Sequence, residues 1–324
     1  MVTWGLAICG CGQETGWVLK PVPIDEQLRE TVLTADPGWG VTDKIAVLDV
    51  DGLLMNQREA GWFGEKDNPV SLFVEKLDKA ERDPNLRALI VRINSPGGGV
   101  TASDIMYRRL LRFRQAKKVP VVAVVEDVGA SGGYYLACAA DSIIAHPTSV
   151  TGSIGVMVQA LSFAGTMRML RIDARAVTSG PLKDMASPFK PLDEKDLAIL
   201  QTIVDEFYDR FLDVVDAGRP KLDREKIKAL ADGRVYTGEQ AKANGLVDEL
   251  GYMDDAISLA KKASGAGRVK VVMYHRPLGY RANVYSAADG PPAQINLLNV
   301  SVPNLLSLGQ PQFLYLWTGH TSGD

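Results

Sequence analysis

Cysteine and histidine are scarce in this chain. Cys9, Cys11 and Cys138 are the only thiols in 324 residues, and His146, His275 and His320 the only imidazoles. Their spacing fits no zinc-type ligand set and gives no disulfide framework, so neither a metal nor a cofactor is expected. Cys138 lies among alanines and Leu136 and reads as a small buried packing residue. No excess of either charge exists: 36 Lys and Arg stand against 39 Asp and Glu, for a formal net charge of -3. Without a basic run, nucleic acid is not an expected partner. No segment approaches the ~18–20 apolar residues of a membrane-spanning helix. Residues 1–12, with Ile8-Cys9-Gly10-Cys11, look like the end of a lipoprotein-type signal that lacks its basic and longer apolar parts. A truncated signal, with Cys11 a possible lipid site, is read there ahead of a loose terminus. The remaining composition, 46% apolar and 23% charged, suits one large α/β domain with tails or two small domains.

Residues 13–42 mix prolines and charges without periodicity, so 1–42 reads as an N-terminal arm holding the possible signal or anchor remnant. Order begins with an apolar strand at 44–50. Asn68-Pro69 then marks a helix start, with Asn as N-cap and Pro in the first turn, and Leu72, Phe73, Leu77 and Ala80 on its apolar face. Three strand–turn units follow. The first runs from a strand at 88–93 through the turn Ser95-Pro96-Gly97-Gly98-Gly99 to a helix capped by Ser103. The second runs from a strand at 119–125 through Gly129-Ala130-Ser131-Gly132-Gly133 to a helix at 134–140. The third runs from a strand at 142–145 through Thr151-Gly152-Ser153-Ile154-Gly155 to a strand beginning at Val156. Such alternation implies a largely parallel sheet covered by helices, with reactive groups at the strand ends. A further strand is expected at 171–177, followed by an irregular proline-rich stretch. Asp193 caps a long helix, Thr237 a shorter one ended by Gly245, and 254–262 forms another. Beyond 266 the pattern weakens, which leaves one folded domain at 43–265 and a C-terminal extension at 266–324. The Leu-rich tail 295–317 is broken by Pro303 and Pro311. It could cover a groove, meet a membrane surface, pair with another subunit or fold onto its own core.

Ser131 is the residue on which function turns. At a glycine-flanked strand-to-helix turn its hydroxyl projects, and free N–H groups can converge on a developing oxyanion. A serine needs a base. His275 could complete a Ser131, Asp248, His275 order; His146 reads as a strand-end residue, and His320 lies in the terminal tail. A lysine held neutral by an apolar site is the alternative. Lys183 suits it, framed by Gly180-Pro181-Leu182 and Met185-Ala186, provided that Asp184 points elsewhere.

The blocks Ser95–Gly99, Gly129–Tyr135, 151–156, 179–184 and 231–248 occur in an order that closely resembles the single-repeat signal peptide peptidase A family of serine peptidases. The resemblance implies a Clp protease/crotonase-like α/β fold of repeated ββα units. It implies a Ser/Lys dyad, with Ser131 as nucleophile, Lys183 as general base and Ser153 orienting the lysine. Gly98 matches the oxyanion donor, and Gly132 could assist. Its substrates would be extended apolar peptides such as remnant signal peptides, and its assembly a ring-shaped homo-oligomer. A membrane-associated, extracytoplasmic site would follow, with no anchor evident in this chain. A Ser/His/Asp Clp-like peptidase, a crotonase-type acyl-CoA enzyme and a non-enzymatic scaffold are the rivals.

Overall fold

The structure, a computed structural model, describes residues 27–57, 60–61, 64–65, 67–276 and 312–318. In chain order the first half runs β1 (Arg29–Ala35), β2 (Lys44–Leu54), a short hairpin of β3 (Ala60–Gly61) and β4 (Gly64–Glu65), α1 (Pro69–Arg82), β5 (Leu86–Gly99), α2 (Val100–Lys117), β6 (Val121–Ala130), α3 (Gly132–Ala137), β7 (Ser142–Ala145) and β8 (Val150–Gly152). Then follow β9 (Met157–Gln159), α4 (Ala164–Met169), α5 (Glu194–Gly218), α6 (Arg224–Leu230), β10 (Val235–Thr237), α7 (Gly238–Ala243), β11 (Glu249–Leu250), α8 (Met253–Ser264), β12 (Lys270–His275) and β13 (Gln312–Leu316).

The main sheet has the order β1-β12-β2-β5-β6-β7-β11. It is parallel from β12 to β11, with β1 antiparallel on the outer edge. Both faces are covered, which is why its strands are continuous apolar runs rather than alternating ones. In β2, Ile45 and Val47 face Met253, Ala256 and Ala260 of α8. Ala46, Leu48 and Val50 face the opposite layer, with Phe73 and Leu77 of α1, Leu110 and Phe113 of α2, and Phe211 of α5.

Local signals set most helix starts. The Asn68 side chain accepts from the N–H groups of Val70 and Ser71, and Asp193 from that of Lys195. Thr237 and Gln240 form a reciprocal capping box on α7.

Several expectations are corrected. Ser95–Gly99 is the end of β5 rather than a turn, because strands on both sides pair with it. Ser103 is not a cap: α2 starts at Val100 from an N-cap at Gly99, and the Ser103 hydroxyl donates to the Gly99 carbonyl at 3.0 Å. Residues 171–177 form no strand, since no ladder reaches them, and Ile172 and Val177 are exposed. Residues 29–35, read as arm, and 270–275, in the weakly patterned extension, pair with each other and enlarge the main sheet.

Candidate active site

Ser131 stands at the junction of β6 and α3 with φ 52° and ψ -114°, a sparsely populated backbone conformation for a residue with a Cβ. Its N–H donates to the Gly152 carbonyl, and its carbonyl accepts from the Tyr135 N–H, both at 2.8 Å. The side chain is buried, and its hydroxyl has no hydrogen-bond partner. Leaving a buried hydroxyl unpaired costs about 1–3 kcal/mol. Strain and an orphaned hydroxyl on one residue are the marks of a nucleophile elbow.

Close backbone approach builds the surroundings. Gly97 has φ +102°, and a Cβ there would lie 2.7 Å from the Gly132 nitrogen. A Cβ on Gly132 would lie 2.4 Å from the Ser103 hydroxyl oxygen. The end of β5 and the start of α3 therefore touch through bare backbone, which sets Gly98 and Gly132 beside the elbow. On the other side, Ala130 pairs with Gly152 in parallel register, so Ser131 and Ser153 follow the same rung of adjacent strands. Ser153 also has a positive φ, 49°, and its N–H donates to the Arg234 carbonyl at 2.8 Å. It lines a cleft of about 410 Å³ with Met157, Tyr208, Gly233 and Leu316.

Lys183 lies elsewhere. It is exposed, in a run of tight turns, with its N–H donating to the Gly180 carbonyl at 3.2 Å. Within one chain it does not bond the Ser131 hydroxyl, which has no partner. The turns are braced by Lys190, which pairs with Asp184 at 3.0 Å and Asp196 at 2.9 Å. The Asp196 carboxylate also accepts from the Ala186 N–H at 3.2 Å. Asp184 is thus engaged by Lys190.

The two described histidines, His146 and His275, are engaged elsewhere than with Ser131, whose hydroxyl has no partner. His146 follows β7, lies against Tyr252 with tilted rings whose centroids are 4.9 Å apart, and has a buried Nε2 without a partner. Burial holds its imidazole below the usual range, with Asp127 pulling the other way. His275 ends β12, three strands from β6, and its Nε2 is 2.7 Å from the Thr31 hydroxyl. Asp248 accepts from both Arg219 Nη atoms, at 2.7 and 2.8 Å, and from the Ile143 N–H at 2.8 Å. Burial disfavours that carboxylate, but these donors outweigh it and hold Asp248 below the ordinary carboxylate range. Asp248 is therefore a structural anchor. Cys138 is another buried group, its thiol pushed up to about 12 by burial. His320, Cys9 and Cys11 lie outside the described residues.

Sequence reasoning left one neighbour of the site open. The tail strand β13 runs beside the elbow, between Gly97–Gly99 and β9. The signal was present in Phe313, Tyr315 and Trp317, aromatic at every second residue, the period of a strand.

A strained, partnerless serine between two glycine-rich strand ends invites comparison with known peptidases. The profile of Peptidase family S49 matches residues 113–267, which include Ser131, Ser153 and Lys183. A candidate signal peptide peptidase SppA of Enterococcus faecium is 35% identical over 231 residues, covering 71% of this chain and 67% of that protein. The chain belongs to peptidase family S49. A candidate protease of Methanocaldococcus jannaschii is 35% identical over 214 residues, 66% of this chain and 68% of the relative. Protease 4 of Haemophilus influenzae is 34% identical over 224 residues, and the match spans 35% of that longer protein. Like other members of the family this chain is a serine peptidase of α/β fold.

Proposed function

We propose that Ser131 is the nucleophile and Lys183 the general base of a Ser/Lys-dyad endopeptidase that cleaves extended, mainly apolar peptides, remnant signal peptides among them. The observation that carries this reading is the buried, partnerless hydroxyl of Ser131 on a strained elbow. In the first half-reaction the Ser131 Oγ attacks the peptide carbonyl carbon while the neutral Lys183 amine takes the hydroxyl proton. The oxyanion forms against the N–H groups of Gly98 and Gly132. As the tetrahedral intermediate collapses, the C–N bond breaks and the lysine returns the proton to the leaving amine. The lysine then takes a proton from water as it attacks the acyl carbon, and returns that proton to the Ser131 Oγ as the ester C–O bond breaks, which releases the carboxylic acid and restores both residues. Ser153 holds the amine in place through an uncharged hydroxyl.

In one chain the dyad is open, and its completion falls to a second copy in a ring-shaped homo-oligomer. Two features support this. Lys183 is exposed on a braced loop, and Leu161, Phe163, Leu170, Ile172, Leu182 and Leu192, in the stretch of chain that contains it, are exposed apolar side chains of the kind subunit contacts cover. The cleft beside Ser153 offers an entry for a neighbour's lysine. The substrate class, remnant signal peptides, places the enzyme at a membrane on its extracytoplasmic side. Among the described residues no helix is long and apolar enough to cross a membrane.

The test is covalent labelling of the full chain with a fluorophosphonate followed by peptide mapping in a mass spectrometer. Modification confined to Ser131, and lost in Ser131→Ala, is expected. A label on a different serine, or none, would overturn the assignment.

A further inference from the structure

The three central strands lose register as they reach the elbow. Asp51 of β2 pairs with Asn94 and Leu53 with Gly97, while Ile93 of β5 pairs with Val125 and Ser95 with Gly129. β5 thus carries one extra residue against β2, and β6 carries two against β5. Such bulges re-aim a strand and leave ladder groups that need other partners. Two adjacent side chains of β5 supply them. The Asn94 Oδ1 accepts from the Val128 N–H at 3.3 Å. The Ser95 hydroxyl donates to the Gly52 carbonyl at 2.6 Å and accepts from the Gly97 N–H at 3.1 Å. A hydroxyl is the smallest side-chain group that can do both.

Ser95 has no solvent exposure. Its hydroxyl ties the end of β2 to the end of β5, and its backbone supports the first turn of α3. A Cβ on Gly133 would lie 2.8 Å from the Ser95 carbonyl oxygen and 3.5 Å from the Ser95 Cβ. Between Ser95 and the proposed donor Gly98 stand only Pro96, whose ring fixes φ, and Gly97, at φ +102°. By holding the Gly97 N–H, the hydroxyl fixes the peptide plane ahead of Gly97, and the Gly98 N–H takes its direction from that plane. The second proposed donor, Gly132, immediately precedes the glycine that rests on Ser95. One buried side chain therefore sets the spacing of both donors.

We propose that Ser95 is a positioning residue of the peptidase, which aligns the Gly98 and Gly132 N–H groups on the oxyanion and takes no part in binding the ground-state peptide. The proposal rests on the reading of Ser131 as nucleophile with those two donors. An oxyanion donor acts on charge that develops only in the transition state. A donor moved out of line therefore costs rate and leaves substrate affinity in place.

The experiment uses the full chain, a fluorogenic apolar peptide amide and the peptide boronic acid of the same sequence. The tetrahedral adduct of the boronic acid with Ser131 places an oxygen where the oxyanion forms. Ser95→Ala should lower kcat roughly 10²-fold, the scale of one lost or misplaced donor, with KM within about twofold of wild type. Affinity for the boronic acid should fall by the same factor as kcat/KM. Ser95→Ala leaves two buried groups unpaired and is the variant that can fail to fold. Ser95→Cys fills the same space with a weaker donor and acceptor; it should stay folded by circular dichroism and lose about tenfold in kcat at unchanged KM.

Rates are counted per site labelled by a fluorophosphonate, so a loss of folded chain is not read as a loss of catalysis. A merely structural role would lower the melting temperature and the number of labelled sites while kcat per site and boronic acid affinity stay at wild-type values, and that result would overturn the proposal. A rise in KM with kcat unchanged would overturn it as well. Mapping the label separates this proposal from the one beneath it. A wild-type chain labelled at Ser131, with Ser95 variants that match it in kcat per site, rejects the positioning role alone. A wild-type chain not labelled at Ser131 rejects the nucleophile and the positioning role with it.

Discussion

Ser131 and Lys183 occupy contrasting regions of the molecule. Ser131 sits where three parallel strands end, its backbone fixed by Gly152 and Tyr135 and its surroundings wholly buried. Lys183 sits on an exposed loop whose order depends on Lys190, Asp184 and Asp196. On the proposed assignment, the nucleophile and its oxyanion donors are therefore prebuilt in the folded chain. On the proposed dyad the base is presented outward, and bringing it to the serine is left to assembly. If assembly completes the proposed dyad, an unassembled chain is unable to cleave.

The largest expected effect tests that division. Ser131→Ala and Lys183→Ala should each lose at least ~10⁴-fold in turnover, the scale seen when a nucleophile or its base is removed. Mixing the two inactive variants under conditions that exchange subunits should restore about a quarter of wild-type activity, because a site shared head-to-tail can draw its serine from one variant and its lysine from the other. No recovery on exchange would place both groups in one chain. The buried half should answer through stability. Arg219→Ala strands the Asp248 carboxylate and should lower folding stability by about 3 kcal/mol, seen as a fall in melting temperature. The exposed half should answer through rate. Lys190→Ala frees the loop and should cost roughly tenfold in kcat/KM by misplacing the base, with the melting temperature near wild type. A large thermal shift would instead make the loop part of the folding core.

The smallest effect is a pH dependence on the α8 face of the sheet. Burial pushes the Glu126 carboxyl up to about 7, with Arg92 pulling it down and Asp49, Asp51 and Asp127 adding to the rise. A carboxyl raised on folding holds its proton more tightly in the native state, so ionising it costs stability once the pH exceeds the unfolded value of ~4.3. Glu126→Gln should raise the melting temperature at pH 8, and the gain should vanish near pH 4. A gain that persists at pH 4 would trace to something other than this proton.

Much of the setting of Ser131 was legible in the chain. Gly129 to Gly133 between an apolar strand and a compact helix, and Thr151 to Gly155 after the next strand, announced backbone turns that few other residues could make. Helix starts at Asn68, Asp193 and Thr237 were equally plain, since a cap acts within three residues of itself. Less legible were the pieces that depend on distant partners. Residues 29–35 looked like a loose arm, because their strand exists only through pairing with residues 270–275. Residues 171–177 have strand-like composition but meet no free edge. Lys76 lies on the apolar side of α1 and is buried, its ammonium 3.5 Å from the Asp49 carbonyl, an arrangement no periodicity reveals.

The sequence by itself determined the alternating α/β order, the elbow at Ser131 and the glycines that let two backbones meet beside it, because steric limits on φ and ψ act locally. Only the tertiary structure decided that the tail returns to fill the groove, that His275 and Asp248 are spent on other partners, and that Lys183 stands apart from Ser131. Ladder hydrogen bonds, ion pairs and burial join residues far apart in the chain, and their energies are set by the whole fold rather than by any neighbouring stretch.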